Sequence, residues 1–255
     1  MSDVPEHPAE AQRDLLRDSL IDRARDDPDV IAAAILGSGA LGQQDRWSDI
    51  DLALRLRPAA DQGRVVDRWT QLIFAEHGAV HRLDVHAAGA LYRVFLLDSS
   101  LQLDLSFWPA QEFRPHGPAF RVLFGEALPA AAPVPSDPER TIGMAWLYGL
   151  HVRSAIARGR PWQAVIMLDL LRDQLLELAC LRYGLNPQHG RGADQLPAAT
   201  LTALAEARAV SMQAAELRRS ATALLECLAR EVAEHDQQLA HRLEPVLRRL
   251  GEDAS

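Results

Sequence analysis

The spacing of hydrophobic and polar residues predicts a mixture of strands and helices in the first half of the chain. An amphipathic helix is predicted over 8–25, followed by an apolar run over 30–36 that ends at Gly37 and is typical of a buried strand. Over 49–57 apolar and polar residues alternate with a period of two, which predicts a half-buried strand. The remaining predicted elements of this half are a helix over 60–77 and strands over 80–86, 91–97 and 101–107.

The second half contains long helical patterns and no strand-like alternation. The Pro- and Ala-rich segment over 128–138 is interpreted as a linker, with Ser136 or Asp137 available to cap a helix that begins near Pro138. The predicted helices cover 138–158, 161–183, 198–208 and 211–250, the last broken near Gln238 or at Pro245. The predicted fold class is therefore α+β, with a mixed-sheet domain over 1–132 and an all-α helical bundle over 133–255.

Composition and charge narrow the function classes. Hydrophobic residues make up 48% of the 255 residues, enough for a packed core. The 35 acidic residues exceed the 27 basic ones, giving a net charge of −8, so nucleic acid is an unlikely partner. No signal peptide and no apolar run long enough for a membrane span is found, and the cytoplasm is the expected compartment. Cys180 and Cys227 are expected to be small buried hydrophobes, because they form neither a disulfide framework nor a zinc pair.

A glycine-rich segment follows the first predicted strand. Residues 37–42 match the GxGxxG pattern of dinucleotide-binding folds, but the next strand begins near Ser48, only six residues after Gly42. A parallel strand needs a crossover of about a dozen residues, so a Rossmann fold is excluded. A turn at Gly37 and Ser38 instead offers backbone N–H groups and a hydroxyl to phosphate oxygens.

Two carboxylates follow this turn at a spacing that places them on one face of a strand. Asp49 and Asp51 are residues i and i+2, so their side chains project together and favour a cation between them. Mg²⁺ binds oxygen ligands and is commonly held by one or two carboxylates plus substrate phosphates. A third carboxylate is expected from Asp104, whose strand alternates cleanly, with Asp84 as the alternative.

The segment LGSGALGQQDRWSDIDLAL resembles the signature of nucleotidyltransferases of the DNA polymerase β superfamily. The motif resemblance covers about residues 30–107, and the two-domain arrangement is similar to the aminoglycoside and lincosamide nucleotidyltransferases. The resemblance implies that Gly37 and Ser38 hold the triphosphate, that Asp49 and Asp51 bind the nucleotide and Mg²⁺, and that Asp104 is the third catalytic and metal-binding acid. Many small members carry an Arg shortly after the Gly-Ser pair. This chain has Ala-Leu-Gly there, which leaves Arg46 to take that role.

The helical half offers groups for an acceptor substrate. Asp169, Asp173 and Glu177 are spaced i, i+4, i+8 and form one acidic stripe. This stripe either binds a cationic acceptor and supplies a general base, or is the solvated face of a helix in the bundle.

Arg153 and Arg158 are candidates for triphosphate contacts or ordinary surface charges. Trp47 is a candidate for stacking on the base, with core packing as the favoured alternative.

The resemblance implies a Mg²⁺-dependent enzyme that moves a nucleoside monophosphate onto a hydroxyl of a small molecule. The expected donor is ATP, the expected products are an AMP ester and pyrophosphate, and the expected acceptor is an aminoglycoside- or lincosamide-like antibiotic, which would make the protein a resistance enzyme. Relatives that build their clefts between two subunits make a homodimer a further expectation. The alternatives are a catalytically silent nucleotide-binding protein of the antitoxin type and an enzyme that nucleotidylates proteins.

Overall fold

The computed structural model describes residues 8–132 and 136–252. The chain divides into two compact units, Met1–Val134 and Pro135–Ser255. The first contains a six-stranded mixed sheet with helices and the second is helical, which confirms the predicted α+β class. The predicted boundary between residues 132 and 133 stays a prediction, because residues 133–135 of the expected linker lie outside the described residues.

The N-terminal unit is built on one sheet whose strands are ordered β3-β4-β5-β2-β1-β6. Its strands are β1 (Val30–Leu36), β2 (Ile50–Leu56), β3 (Ala79–Ala87), β4 (Ala90–Leu97), β5 (Gln102–Trp108) and β6 (Phe120–Phe124). Its helices are α1 (Pro8–Asp26), the five-residue α2 (Gly37–Leu41) and α3 (Gln62–Glu76). β1 and β2 are antiparallel, as a short connection requires, whereas β2 and β5 are parallel. The exclusion of a Rossmann fold is therefore confirmed.

Both faces of the central strands are covered. On one face the apolar residues of β2 and β5 pack with α1 and α3 in a large core that includes Leu20, Leu52 and Trp69. On the opposite face Ala53 is fully buried in a smaller cluster with Trp108 and Phe113. The predicted half-buried character of β2 is confirmed at Asp51 and Arg55, which are partly buried, and is wrong only at Ala53, where aromatic side chains from β5 and the following loop cover the second face.

Strand β6 was not predicted from the sequence. It is a five-residue edge strand that pairs antiparallel with β1, and three of its residues are half-buried. A short strand with a mixed pattern carries little periodic signal, so only the long-range pairing defines it. Arg121 of this strand reaches the Gly-Ser turn, where its guanidinium contacts the backbone carbonyl of Gly39.

The C-terminal unit consists of helices around one apolar core. These helices are α4 (Pro138–Ala157), α5 (Pro161–Arg182), α6 (Ala198–Ala207), α7 (Ala214–His235) and α8 (Gln237–Glu252). Asp137 caps α4 by accepting a hydrogen bond from the backbone N–H of Arg140, as one of the two predicted caps. The break in the last predicted helix falls at Asp236, close to Gln238, while Pro245 lies inside α8. Cys180 and Cys227 are buried and free, as predicted.

A buried carboxylate joins α1 to α3 in the N-terminal unit. Asp27 accepts hydrogen bonds from Nη2 of Arg68 at 2.8 Å, from Nε1 of Trp69 at 2.8 Å and from the backbone N–H of Asp29 at 3.0 Å. Burial raises the pKa of Asp27, but the hydrogen bonds from Arg68, Asp29 and Trp69 outweigh it, and the pKa lies below its usual value of 3.8. The carboxylate therefore stabilises the fold at neutral pH, and this contribution is lost as the pH falls through that lowered pKa.

We expect Asp27→Ala to lower the free energy of unfolding by about 2 kcal/mol at pH 7, because the substitution leaves the buried indole N–H of Trp69 without an acceptor. The measurement is urea unfolding, with Asp26→Ala as the control, since Asp26 is the adjacent residue, is exposed and ends α1. Equal stability of the two variants would show that the hydrogen bonds of Asp27 contribute little.

Candidate active site

Three carboxylates meet where the parallel strands β2 and β5 lie side by side. Asp49 directly precedes β2, Asp51 lies in β2, and Asp104 lies in β5 as the in-register partner of Asp51. One carboxylate oxygen from each residue lies within 4.8 Å of the other two, and all three side chains are half-buried. The structure thus brings together the three acids that the sequence singled out.

This cluster fits a hard divalent cation. It offers carboxylate oxygen only, which is the donor type that Mg²⁺ and Mn²⁺ prefer, and two of its three acids lie on adjacent strands. Within the ranges that the structure describes, it is the one group of three or more His, Cys, Asp or Glu side chains close enough to share an ion.

Gly37 brings the Gly-Ser turn directly against this cluster. Its φ is +58°, in the left-handed region that favours glycine, and it opens the short helix α2. A Cβ atom added at Gly37 would overlap Oδ2 of Asp51. The turn therefore lies so close to the carboxylate that only a residue without a side chain fits at position 37. Ser38 follows within the same turn.

The amide of Gln102 bridges two of the acids. Its Nε2 donates to Oδ1 of Asp104 at 3.1 Å and to Oδ2 of Asp49 at 3.3 Å. Burial raises the pKa of Asp104 to about 6, opposed by the hydrogen bond from Gln102 and reinforced by the negative charge of Asp49. A carboxyl group with this pKa can accept a proton near neutral pH, which is the property of a general base.

Asp84, the alternative third acid, lies elsewhere. It sits on β3, opposite Arg93 of β4, and accepts two hydrogen bonds of 2.6 Å from that guanidinium. The hydrogen bonds from Arg93 hold the pKa of Asp84 below its usual value, against a smaller effect of burial. Arg93 is buried and also donates to Thr70 of α3, so this pair ties the hairpin to the helix.

Arg46 and Trp47 stand in an exposed loop beside Asp49. Trp47 is 77% exposed, so the favoured expectation of core packing is wrong. The Arg46 guanidinium lies 4.4 Å from the Trp47 ring centroid, and both residues border a cavity of about 690 Å³ that also touches Asp49. Arg13 of α1 fixes the loop by donating to the backbone carbonyl of Asp45. The roles of Arg46 and Trp47 toward a nucleotide stay predictions.

Sequence reasoning missed Arg121 of β6. It is the partner of Ile35 in β1, and its Nη2 donates to the backbone carbonyl of Gly39 at 3.3 Å. An exposed cation thus stands beside the Gly-Ser turn, where the expected Arg after the Gly-Ser pair is absent from the sequence. No local signal identifies it, because its position depends on the pairing of β6 with β1.

The acidic stripe of the C-terminal unit is engaged in local contacts. Arg172 pairs with Asp169 at 2.6 Å and with Asp173 at 2.8 Å, and Glu177 accepts a hydrogen bond from Thr141. Asp169 and Asp173 are exposed, so the ion pairs leave their remaining oxygens in contact with solvent. Their assignment to acceptor binding stays a prediction. The same holds for triphosphate contacts from Arg153 and Arg158, which lie in and just after α4.

The raised pKa of Asp104 has a consequence for stability. The folded protein holds this proton more tightly than the unfolded chain, so the free energy of unfolding falls as the pH rises from about 4 through about 6. We expect Asp104→Asn to be more stable than the wild type at pH 7.5 by about 1–2 kcal/mol without divalent cation, after allowance for solvent screening. At pH 4.5 the difference should be smaller. Urea unfolding at both pH values measures it, and a variant that is less stable at pH 7.5 would contradict the expectation.

Known proteins resemble this chain in structure only. No protein-family model matches it, and no curated protein matches it in sequence. An aminoglycoside 6-adenyltransferase from Bacillus subtilis is 12% identical, with a TM-score of 0.42 over 96% of this chain and 99% of that one. A nucleotidyltransferase-like protein from Exiguobacterium sibiricum is 11% identical, with a TM-score of 0.38 over 92% and 80% of the two chains.

A third solved structure is the CD-NTase CdnG of Bradyrhizobium diazoefficiens in complex with GTP. It is 13% identical, with a TM-score of 0.28 over 90% of this chain and 70% of that one. The likenesses are distant ones of fold, so the function proposed below rests on the geometry of the acid cluster. No helix within the described ranges is long and apolar enough to cross a membrane.

Proposed function

We propose that the chain is a Mg²⁺-dependent nucleotidyltransferase that moves AMP from ATP onto a hydroxyl group of a small molecule. The observation that carries the proposal is the in-register pair Asp51–Asp104, joined by Asp49 and met by the left-handed turn at Gly37. An oxygen-only cation site beside a turn of backbone N–H groups is suited to a nucleoside triphosphate. The acceptor class implied by the sequence resemblance is an aminoglycoside- or lincosamide-like antibiotic.

Asp49, Asp51 and Asp104 would hold the cation, which supplies charge neutralisation on the phosphates when bound. Gly37 and Ser38 would orient the triphosphate through the backbone and the hydroxyl. Arg121 would steady the turn through the carbonyl of Gly39 from the opposite face of the sheet, and Arg46 would keep the role expected of it from the sequence. These contacts position the α-phosphorus for in-line attack, which is the main contribution that a protein makes to phosphoryl and nucleotidyl transfer.

In this proposal the proton of the acceptor hydroxyl passes to the carboxylate of Asp104. A bond forms between the acceptor oxygen and the α-phosphorus, and the bond from that phosphorus to the bridging oxygen of the β-phosphate breaks, releasing pyrophosphate. Gln102 holds Asp104 in place through its amide N–H. Because Gln102 donates rather than accepts, it leaves the remaining lone pairs of Asp104 available for the proton.

The test is release of pyrophosphate from ATP, CTP, GTP and UTP in the presence of Mg²⁺ and a panel of hydroxylated acceptors that includes aminoglycosides and lincosamides. Release that depends on both an acceptor and Mg²⁺, together with a mass increase of the acceptor by one nucleotide, supports the proposal. Nucleotide binding without turnover for every acceptor would favour the silent, antitoxin-like alternative. A nucleotide adduct on a protein would favour the protein-modifying one.

A further inference from the structure

One face of the β3–β4 hairpin is apolar, exposed at three of its residues and half-buried at Tyr92 and Val94. It consists of Leu83 and Val85 in β3 and Tyr92, Val94 and Leu96 in β4, and we call these five residues the apolar face. Leu83 is 59% exposed and Leu96 is 50% exposed. The opposite face of β4 contributes Leu91, Phe95 and Leu97 to the core, whereas β3 is exposed on both of its faces, with Val80 57% exposed.

The register of the sheet joins the apolar face to the acid cluster. Leu83 is the partner of Val94, Val94 is the partner of Asp104, and Asp104 is the partner of Asp51. Side chains of directly paired residues lie on the same face of a sheet, and neighbouring strands are about 4.8 Å apart. The apolar face therefore begins one strand away from Asp104 and extends about 10 Å from it.

Tyr92 lies on the apolar face one row away from Val94, the direct partner of Asp104. It is paired with Ser106 of β5, and its ring packs edge-on against Trp108 with 5.9 Å between ring centroids. Burial, together with the charge of Asp51, raises the pKa of Tyr92 to about 12. Its hydroxyl group is therefore neutral at physiological pH and can donate or accept a hydrogen bond at the edge of the cluster.

The two sides of the acid cluster differ in chemistry. On the β1 side the cluster meets the Gly37 turn, whose backbone N–H groups suit phosphate groups. On the β4 side it meets side chains that carry no charge. A hydroxylated acceptor that approaches Asp104 from the side opposite the phosphates, as in-line attack requires, lies against these apolar side chains.

We infer that the apolar face binds the acceptor, and that the acceptor is a hydroxylated molecule with an apolar chain or face about 10 Å long rather than a polycation. This inference rests on the proposed function and narrows it. An apolar surface next to the transfer site stabilises an acceptor in proportion to the apolar area that it buries. The apolar face offers a polycation no carboxylate beyond those of the acid cluster.

Graded probes test this inference. In the first step, a non-hydrolysable ATP analogue and Mg²⁺ are bound to the protein. In the second step, methyl, hexyl and octyl β-D-glucoside are titrated into this complex, each below its critical micelle concentration. Methyl resonances of Leu and Val report the binding. The glucosides share one set of hydroxyl groups, so we expect at least a tenfold gain in affinity from methyl to octyl, with shifts at Leu83 and Val94. An aminoglycoside such as kanamycin should bind no more tightly than methyl glucoside.

Matched variants give the decisive comparison. Leu83→Glu and Leu96→Glu should each weaken octyl glucoside at least tenfold, whereas Leu15→Glu should not, because Leu15 is 72% exposed on α1 and lies away from the apolar face. An affinity independent of chain length, or equal effects of Leu83→Glu and Leu15→Glu, would overturn the inference alone. Failure of the nucleotide analogue to bind in the first step would overturn the proposed function and the acceptor role with it.

Discussion

Replacing Asp51 by Asn is expected to lower nucleotidyl transfer about 10³-fold or more while the protein stays folded. A bound cation contributes several kcal/mol to stabilising the developing charge, and each 1.36 kcal/mol corresponds to about a tenfold change in rate. Asp51 is the strand partner of Asp104 and lies against the Gly37 turn, so in the proposed site its carboxylate would meet both the cation and the phosphates.

The measurement is acceptor-dependent pyrophosphate release, with unfolding by urea measured on the same preparations. Asp67→Asn is the matched control, because it removes one carboxylate charge from an exposed position of α3. Without divalent cation, Asp51→Asn should be at least as stable as the wild type, since it relieves repulsion within the cluster. Turnover of Asp51→Asn within tenfold of the control would remove Asp51 from the proposed mechanism.

Gly37→Ala is expected to reduce transfer by about 10²-fold or more and to weaken binding of the Mg²⁺-nucleotide. The left-handed backbone at Gly37 costs a residue with a Cβ roughly 1–2 kcal/mol, and the added methyl also overlaps the carboxylate of Asp51. Either the turn or the carboxylate must move, so the spacing between the phosphate-binding turn and the cation site changes.

Gly42→Ala separates the two causes. Gly42 has a φ of +67° and ends the same short helix, but a Cβ there meets no atom within 4 Å. It therefore shares the backbone strain of Gly37→Ala without the overlap with Asp51. We expect Gly42→Ala to lose stability but to keep most of its activity. Equal losses of activity in the two variants would mean that strain in the loop, and not the approach to Asp51, controls the site.

The acid cluster could be predicted from the sequence because it rests on local periodicity. Alternation with a period of two places Asp49 and Asp51 on one face of β2, and the same alternation places Asp104 on the polar face of β5. A Gly-Ser turn at a short distance limits the pairing of β1 and β2 to an antiparallel hairpin. These features need no knowledge of distant contacts. The choice between Asp104 and Asp84 needed the strand order, which places β5 and not β3 beside β2.

Features that depend on distant parts of the chain could not be predicted in this way. Arg121 reaches the Gly-Ser turn only because β6 pairs with β1, and Ala53 is buried only because Trp108 and Phe113 cover it. An aromatic residue next to a strand ordinarily packs in the core, but the loop that carries Trp47 is held to α1 by Arg13 and leaves the ring exposed. Long-range strand pairing and the anchoring of the loop at 45–48 therefore account for the features that the sequence did not predict.

Calorimetric titration of a non-hydrolysable ATP analogue, with and without Mg²⁺, tests the proposed nucleotide and metal site most directly. The wild type and the Asp49→Ala/Asp51→Ala double variant are compared, with Asp67→Asn as the charge control. We expect the wild type and the control to bind the analogue only when Mg²⁺ is present, and the double variant to lose that binding. Binding by the wild type that does not need Mg²⁺, or that survives in the double variant, would contradict the assignment of the acid cluster as the metal and nucleotide site.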